Sequence, residues 1–335
     1  SALGKNEGAF KAYQAAHHLD LTDQETIRGL ADVSFKLGDW AGALTNYQKV
    51  LTALGEEETE ERALVYYKLG LVKQNQGQAK QAINNFEKAL GIEPAHRETL
   101  DAMVAVYEGL KDWKQVCHYK RQILDNIMDG AERFKMLNQI GDLWVDKGDS
   151  PQKGIEALEE ALDLEPQNHV LLHKLLQLYQ KTNQWDRMVD CLQRIADLEM
   201  QPERKSRYLY TMAQLYRDKL DDQMRAVDLF NEALDLNPGF LEAFERINKI
   251  LTEQKEWKQL ERAFRKMLHR VAGKGNIDLE HNLWHNLGLI YRDRLNDRNA
   301  SVETFRMASR LKPENTQEHQ ILAELGCDEL QGFLF

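Results

Sequence analysis

The sequence predicts an all-α solenoid, a row of helix pairs stacked side by side, and three observations lead to it. The stretch Ser206–Pro238, SRYLYTMAQLYRDKLDDQMRAVDLFNEALDLNP, falls into two amphipathic halves. Leu209, Met212, Ala213 and Tyr216 share one helical stripe, and Ala226, Leu229, Phe230, Ala233 and Leu234 share another. Asp221-Asp222-Gln223 turns the chain between them and Pro238 closes the unit. Neither helix can bury its stripe alone, so the unit must stack on copies of itself. The second observation is recurrence: Trp113, Trp185 and Trp257 lie 72 residues apart, as do Pro94, Pro166 and Pro238. The third is that only six prolines and 20 glycines occur in 335 residues, mostly at turns.

In order, Ala9, Tyr13 and Ala16 followed by Leu19-Asp20-Leu21 read as the second helix of a partial repeat over 1–22. Eight full repeats then run from about residue 24 to 314. The first places Ile27, Leu30 and Ala31 on one helix and Ala43, Tyr47 and Val50 on the next. The run Glu56-Glu57-Glu58-Thr59-Glu60-Glu61 reads as a solvated link and the acidic first turn of the following helix, where carboxylates suit the helix dipole. From there two kinds of unit alternate. Well-formed ones carry Tyr66, Leu69, Gly70, Ala82, Phe86 and Ala89, then Gly141, Gly154, Leu158 and Ala161, then the Ser206 unit, then Trp284, Leu287, Gly288, Ser301, Phe305 and Ala308. Degenerate ones carry Leu100, Met103, Val104 and Val116, then Leu175, Leu176 and Met188, then Phe244, Ile247, Asn248 and Leu260. The period is therefore a pair of repeats, 72 residues. A partial helix follows over 316–325, and Gly326 opens a non-repeat tail, 326–335.

The alternation carries a packing expectation. The well-formed hairpins set small residues opposite one another: Gly70 with Ala82, Gly141 with Gly154, Ala213 with Ala226, Gly288 with Ser301. The degenerate ones set Val104 with Val116, Leu176 with Met188 and Asn248 with Leu260. Interaxial distance follows the side chains at the contact, so the degenerate hairpins are expected to be wider, with the Trp at the turn filling the added space.

These residues, large apolar, Leu or Met, small, Tyr, then Ala, Phe, Ala and Pro at fixed offsets, resemble the tetratricopeptide repeat. The resemblance implies a right-handed superhelical solenoid whose first helix of each hairpin lines a concave face, with its second, fifth, ninth and twelfth positions pointing into a groove. Carried over by position, the peptide-binding lining comprises Arg28, Asp32, Phe35, Tyr67, Leu71, Gln74, Asn138, Asp142, His173, Gln177, Arg207, Tyr210, Gln214, Arg217, His285 and Arg292. Tyrosine and histidine supply amphipathic anchors there, and Asn138, Gln177 and Gln214 can hydrogen-bond an extended peptide. Lys174, Arg207, Arg217, Arg246, Lys249 and Arg292 would give the second half a basic lining. The Lys/Asn carboxylate clamp of chaperone-binding relatives is not reproduced.

Composition narrows the chemistry. With 44 basic and 54 acidic residues the formal charge is −10, against a general nucleic-acid surface. No apolar run reaches the ~20 residues of a membrane span, and no signal peptide opens the chain. Cys117, Cys191 and Cys327 are too few and too scattered for a disulfide framework or a zinc site, and read as buried apolar residues in a reducing cytoplasm. His169/His173 and His281/His285 have i, i+4 spacing, but two ligands do not make a zinc site and no HExxH accompanies them. No catalytic residue, metal or cofactor is expected. The triplets Glu160-Ala161-Leu162 and Glu232-Ala233-Leu234 sit at equivalent repeat positions, with Ala161 and Ala233 as packing residues. The segment Glu324–Phe335 resembles the closing LGCDxxQGxLF of EAL-type cyclic-di-GMP phosphodiesterases, with Gln331 near the implied active site but none of that domain's metal ligands. Its Leu330, Phe333, Leu334 and Phe335 are apolar enough to fold back on the last helix or to support weak self-association. The reading is a non-enzymatic cytoplasmic scaffold holding a partner peptide or helix in its groove. Its rivals are a regulatory or substrate-recruiting arm of a larger enzyme, since both ends look cut, and an RNA-binding helical-repeat protein.

Overall fold

The structure, a computed structural model, describes residues 2–326. Among the described residues every regular element is a helix. The chain divides into two compact units, Ser1–Asn168 and His169–Phe335.

In the first unit α1 (Ala2–Leu19) precedes four antiparallel hairpins: α2 (Gln24–Leu37) with α3 (Trp40–Ala53), α4 (Glu60–Asn75) with α5 (Ala79–Ile92), α6 (Arg97–Leu110) with α7 (Trp113–Asp125), and α8 (Gly130–Asp146) with α9 (Pro151–Leu164). The second unit holds α10 (His169–Lys181) with α11 (Trp185–Leu198), α12 (Pro202–Asp218) with α13 (Gln223–Leu236), α14 (Leu241–Glu253) with α15 (Trp257–Val271), and α16 (Ile277–Ile290) with α17 (Arg298–Leu311), then α18 (Thr316–Glu324). The last turn of α16 continues as a π-helical segment, Tyr291–Leu295.

Side-chain acceptors close the helix starts. Asp39, Asp112, Asp222 and Asp297 accept from the backbone N–H three residues on, at the heads of α3, α7, α13 and α17. The acidic link behaves as its sequence implies: Thr59 caps α4, and Glu60 and Glu61 fill its first turn. Lys111, Asn183 and Lys255, themselves 72 residues apart, end α6, α10 and α14 in the left-handed region.

The small residues lie where two backbones meet. A Cβ on Gly141 would stand 2.5 Å from Leu158 and 3.2 Å from the carbonyl oxygen of Gly154, and one on Gly154 would stand 2.9 Å from the carbonyl of Gly141. A Cβ on Gly288 would stand 2.8 Å from the Phe305 ring, and one on Gly70 would enter the Phe86 ring. In the last hairpin the Ser301 hydroxyl donates to the Gly288 carbonyl at 3.1 Å, so its small pair is also hydrogen-bonded. The backbones of α4/α5, α8/α9, α12/α13 and α16/α17 accordingly run close over more of their length than those of α6/α7, α10/α11 and α14/α15.

The tryptophans also reach beyond their own hairpins, while Trp113 packs against the core of α6 and α7. Each is half-buried at the head of its second helix, with a cation of the following hairpin on its face. Lys147 Nζ lies 4.2 Å from the Trp113 centroid, Lys219 Nζ 5.1 Å from Trp185, and the Arg294 guanidinium carbon 4.7 Å from Trp257. Trp40 occupies the same place in α2/α3, yet that hairpin crosses at Ala31 and Ala43, both fully buried, and its backbones run close. Crossing-residue size, rather than the indole, tracks the approach of the helices.

The final helix also differs from expectation. Ile321 and Leu322 are buried against Phe305, while Thr316, Gln317, Gln320 and Glu324 are exposed. α18 therefore turns a polar face outward among the described residues. The expectations for the tail's folding back, its self-association and Cys327 fall on 327–335, outside the described residues.

Gly70→Ala should destabilise by about 1–3 kcal/mol, the cost of overpacking, since its methyl enters the Phe86 ring. Gly109→Ala, whose methyl meets nothing within 4 Å, should raise the melting temperature slightly. Thermal melts of the two variants, side by side, check the crossing assignment.

Candidate protein-interaction face

The first helices of the hairpins, α2, α4, α6 and α8 in one unit and α10, α12, α14 and α16 in the other, carry the residues the sequence singles out. Several of them are occupied in joining consecutive first helices. Arg28 of α2 forms an ion pair with Glu61 in the first turn of α4. Tyr210 of α12 is 8% exposed, its ring against Phe230 and Phe240, and its hydroxyl donates to Glu242 Oε1 of α14 at 2.5 Å. Arg246, one turn on, reaches the same oxygen at 3.2 Å. His285 of α16 lies against Phe305, with Nδ1 2.9 Å from Glu318 Oε1 of α18. Tyr67 of α4 packs half-buried against Phe86 and His96.

This arrangement repeats for a reason. An aromatic or long polar residue at that position lies over the Phe of its own second helix, and its polar tip emerges at the head of the next first helix. Acidic residues belong in that first turn on dipole grounds, so the tip finds an acceptor. Burial, and then the Glu242 carboxylate, push the Tyr210 phenol up, while hydrogen bonds from Tyr210 and then Arg246 hold Glu242 below the usual carboxylate range. Tyr210 is thus an internal strut and not an open groove contact.

Others are satisfied locally. Asp32 accepts from the Tyr47 hydroxyl at 2.6 Å. Phe35 meets Trp40 edge-on at 5.4 Å with Lys68 over its face. Asn138 donates to the Phe134 carbonyl at 3.0 Å. Leu71 packs half-buried against the Phe86–Met103 core, and Gln74, Asp142 and Gln214 are half-buried.

The basic lining is neutralised. Arg217 forks onto Asp218 at 2.6 and 2.8 Å, and Arg292 onto Asp293 at 2.6 and 3.1 Å. Arg246 pairs with Glu242 and Lys249 with Glu253. Arg207 remains exposed.

α10 is different. His173 and Gln177 are exposed and make no hydrogen bond or ion pair among the described residues, and Val170, a turn earlier on the same stripe, is 80% exposed. Val170, His173, Gln177 and exposed Gln180 follow helical spacing, giving an open face with an apolar head. Val170 was missed at the sequence level. Its signal was a β-branched apolar residue in a first turn, on the stripe opposite Leu171, Leu172 and Leu175.

Burial pushes the Cys117 and Cys191 thiols up to about 11, where they are poor nucleophiles at neutral pH. His281 Nε2 joins His285 at Glu318 Oε1, 3.0 Å away, with Glu318 fully buried. Among the described residues no three of His, Cys, Asp and Glu are arranged to hold a metal ion. Ala161 and Ala233 are fully buried packing residues, and Glu160 pairs with Arg121.

Family models described as tetratricopeptide repeat match residues 23–95 and 281–315. Those two stretches are similar to tetratricopeptide repeats. Solved structures that the chain matches include MamA from Desulfovibrio magneticus RS-1, at 18% identity and TM-score 0.32, covering 65% of this chain and 97% of that one. A tetratricopeptide repeat protein from Parabacteroides merdae matches at 12% identity and TM-score 0.35, over 90% of this chain and 98% of that one. YrrB, described as having an unusual peptide-binding site, matches at 16% identity and TM-score 0.29, over 58% and 96%. No curated protein matches the sequence.

Tyr210→Phe should lower the melting temperature at pH 7 by removing the Tyr210–Glu242 bond. Glu242 titrates below its ordinary value, so the stability it contributes is present above the normal carboxylate range and lost as pH falls through its folded-state value. The difference between wild type and Tyr210→Phe should therefore close on acidification below about pH 4. A difference that persists undiminished would place the hydroxyl's effect elsewhere.

Proposed function

We propose that this protein is a non-enzymatic interaction scaffold that binds an extended or helical peptide of a partner protein along the first-helix face. The observation that carries this reading is the open stripe of α10, where Val170, His173 and Gln177 offer an apolar contact and two unpaired polar tips side by side. Exposed apolar and amphipathic groups on a rigid helix are what a partner's side chains and backbone can use. Arg207 and Gln214 of α12 extend the same set of positions. Arg217 of α12, drawn into the lining by its register, contributes charge beside it, and Asn138 and Tyr67 hold the corresponding positions in the first unit. Tyr210, Arg28 and His285 hold the face in place.

Free buried thiols suit a reducing cytoplasm, and no described helix is long and apolar enough to cross a membrane. The acidic balance and the paired arginines favour protein over RNA as partner. The EAL-like segment, Glu324–Phe335, favours a second reading: a recruiting arm attached to a cyclic-di-GMP-signalling enzyme. The chain on its own is then still expected not to hydrolyse cyclic di-GMP, and turnover by the purified protein would overturn the non-enzymatic reading.

Peptides selected from a displayed library against the whole chain supply the ligand for a direct test. His173→Ala, Gln177→Ala and Val170→Asp should each weaken binding of the selected peptide, with unfolding free energies within about 0.5 kcal/mol of wild type, as for other exposed positions. Undiminished binding in all three, with loss on mutating second-helix surfaces instead, would put the peptide on the opposite face.

A further inference from the structure

A cleft on the second-helix side of the first unit is lined by groups that the peptide face does not use. Glu87, Leu90 and Gly91 of α5, Pro94 and Ala95 of the following turn, and Tyr119, Gln122 and Asp125 of α7, with Asn126 at its end, enclose about 440 Å³. Its lining contains two carboxylates and no lysine or arginine.

The nearby cations are turned elsewhere. Lys88 lies over the Tyr66 ring at 5.6 Å, Lys120 donates to Gln139 Oε1 at 3.3 Å, and Arg121 donates to Glu160 Oε2 at 2.8 Å. Glu87 and Asp125 accordingly make no ion pair or hydrogen bond among the described residues.

The wall between them is aromatic. Tyr119 is 8% exposed and stacks on Tyr107 with centroids 5.6 Å apart and planes 14° from parallel. Its hydroxyl has no partner among the described residues. Burial, and then the neighbouring Tyr107 and Glu87, hold the phenol up at about 12, so it is a neutral donor and acceptor at pH 7. Two unpaired carboxylates beside a buried tyrosine with an unspent hydroxyl form a receptor for a flat cation.

We propose that this cleft accepts an arginine side chain from a partner polypeptide, the guanidinium lying between Glu87 and Asp125 against Tyr119. Arginine fits better than lysine because its planar fork presents several N–H donors at once, enough to reach both carboxylates and the Tyr119 hydroxyl. A polypeptide fits better than a free amine because the Gln122 and Asn126 amides line the same cleft and can bond a peptide backbone beside the cation. This surface is independent of the α10 stripe: the two lie in different units and are disabled by different substitutions.

Gly91 supplies a clean way to close the cleft. A Cβ there meets nothing within 4 Å, so Gly91→Leu fills the space without straining α5. The test is a titration of the full chain with acetyl-Gly-Arg-Gly-amide, followed by NMR at the amides of Gly91, Tyr119 and Gln122. The matching Gln and Lys peptides and spermidine serve as comparisons. Saturable shifts confined to the cleft are expected with the Arg peptide, weaker with Lys, and absent with Gln. The dissociation constant should rise about tenfold or more, equivalent to ~1.4 kcal/mol, in the Glu87→Gln/Asp125→Asn double variant. Binding should also be lost in Gly91→Leu at a melting temperature no lower than that of the wild type. Equal response to the Gln peptide, equal or tighter binding of spermidine, or unaltered binding in Gly91→Leu would each overturn the assignment.

Discussion

Two helices can bring their backbones together only where the residues at the crossing carry small side chains or none, and this constraint governs the molecule. Gly141 and Gly154 meet almost carbonyl to Cα, and Gly70 and Gly288 each receive the ring of a phenylalanine that their own Cβ would displace. Interaxial distance in helix packing ranges over about 8–10 Å with the contact residues, so replacing such pairs by Val104/Val116 or Leu176/Met188 necessarily parts the helices. The first hairpin separates the two candidate causes. It has a turn tryptophan, Trp40, and a small crossing pair, Ala31 and Ala43, and its helices stay close. The tryptophans also contact the next hairpin by receiving Lys147, Lys219 and Arg294 on their faces.

The second recurring contact runs between consecutive first helices, and it decides which of their residues are free to bind. Phe86, Phe230 and Phe305 support Tyr67, Tyr210 and His285, and the polar tips of Tyr210 and His285 end at acids on the following first helix. A buried or half-buried aromatic with a charged hydrogen-bond partner costs stability when truncated, and so acts as structure. At His173 no such bond forms, although Glu203 lies in the first turn of α12, and the same position is open. Binding and stacking thus compete for one helix position.

Much of the fold was legible because its signals are local and periodic. The stripes of the Ser206 unit, the aspartates before second helices, and the small–Phe spacing within a hairpin all lie within one repeat, where spacing alone specifies a face. The parts that were not legible depend on partners about one repeat away. Nothing in the neighbourhood of Tyr210 announces that Glu242 will receive its hydroxyl, and nothing in Thr316–Glu324 announces that Glu318 is fully buried. The basic lining failed for a related reason: Arg217 and Arg292 are each followed directly by an aspartate that forks with them, so the positive face the sequence suggested is internally balanced. Val170 was overlooked because a valine at a helix start reads as core until its exposure is known.

If crossing residues set how tightly each hairpin is built, local stability should alternate along the chain and not fall off smoothly from its middle. Amide hydrogen exchange under native conditions measures this hairpin by hairpin, since protection reports the free energy of local opening. The account predicts slow exchange in α5, α9 and α13 and faster exchange in α7, α11 and α15, with α3 grouped with the slow set despite Trp40. Uniform protection, or protection that follows the tryptophans or the distance from the chain ends, would contradict it.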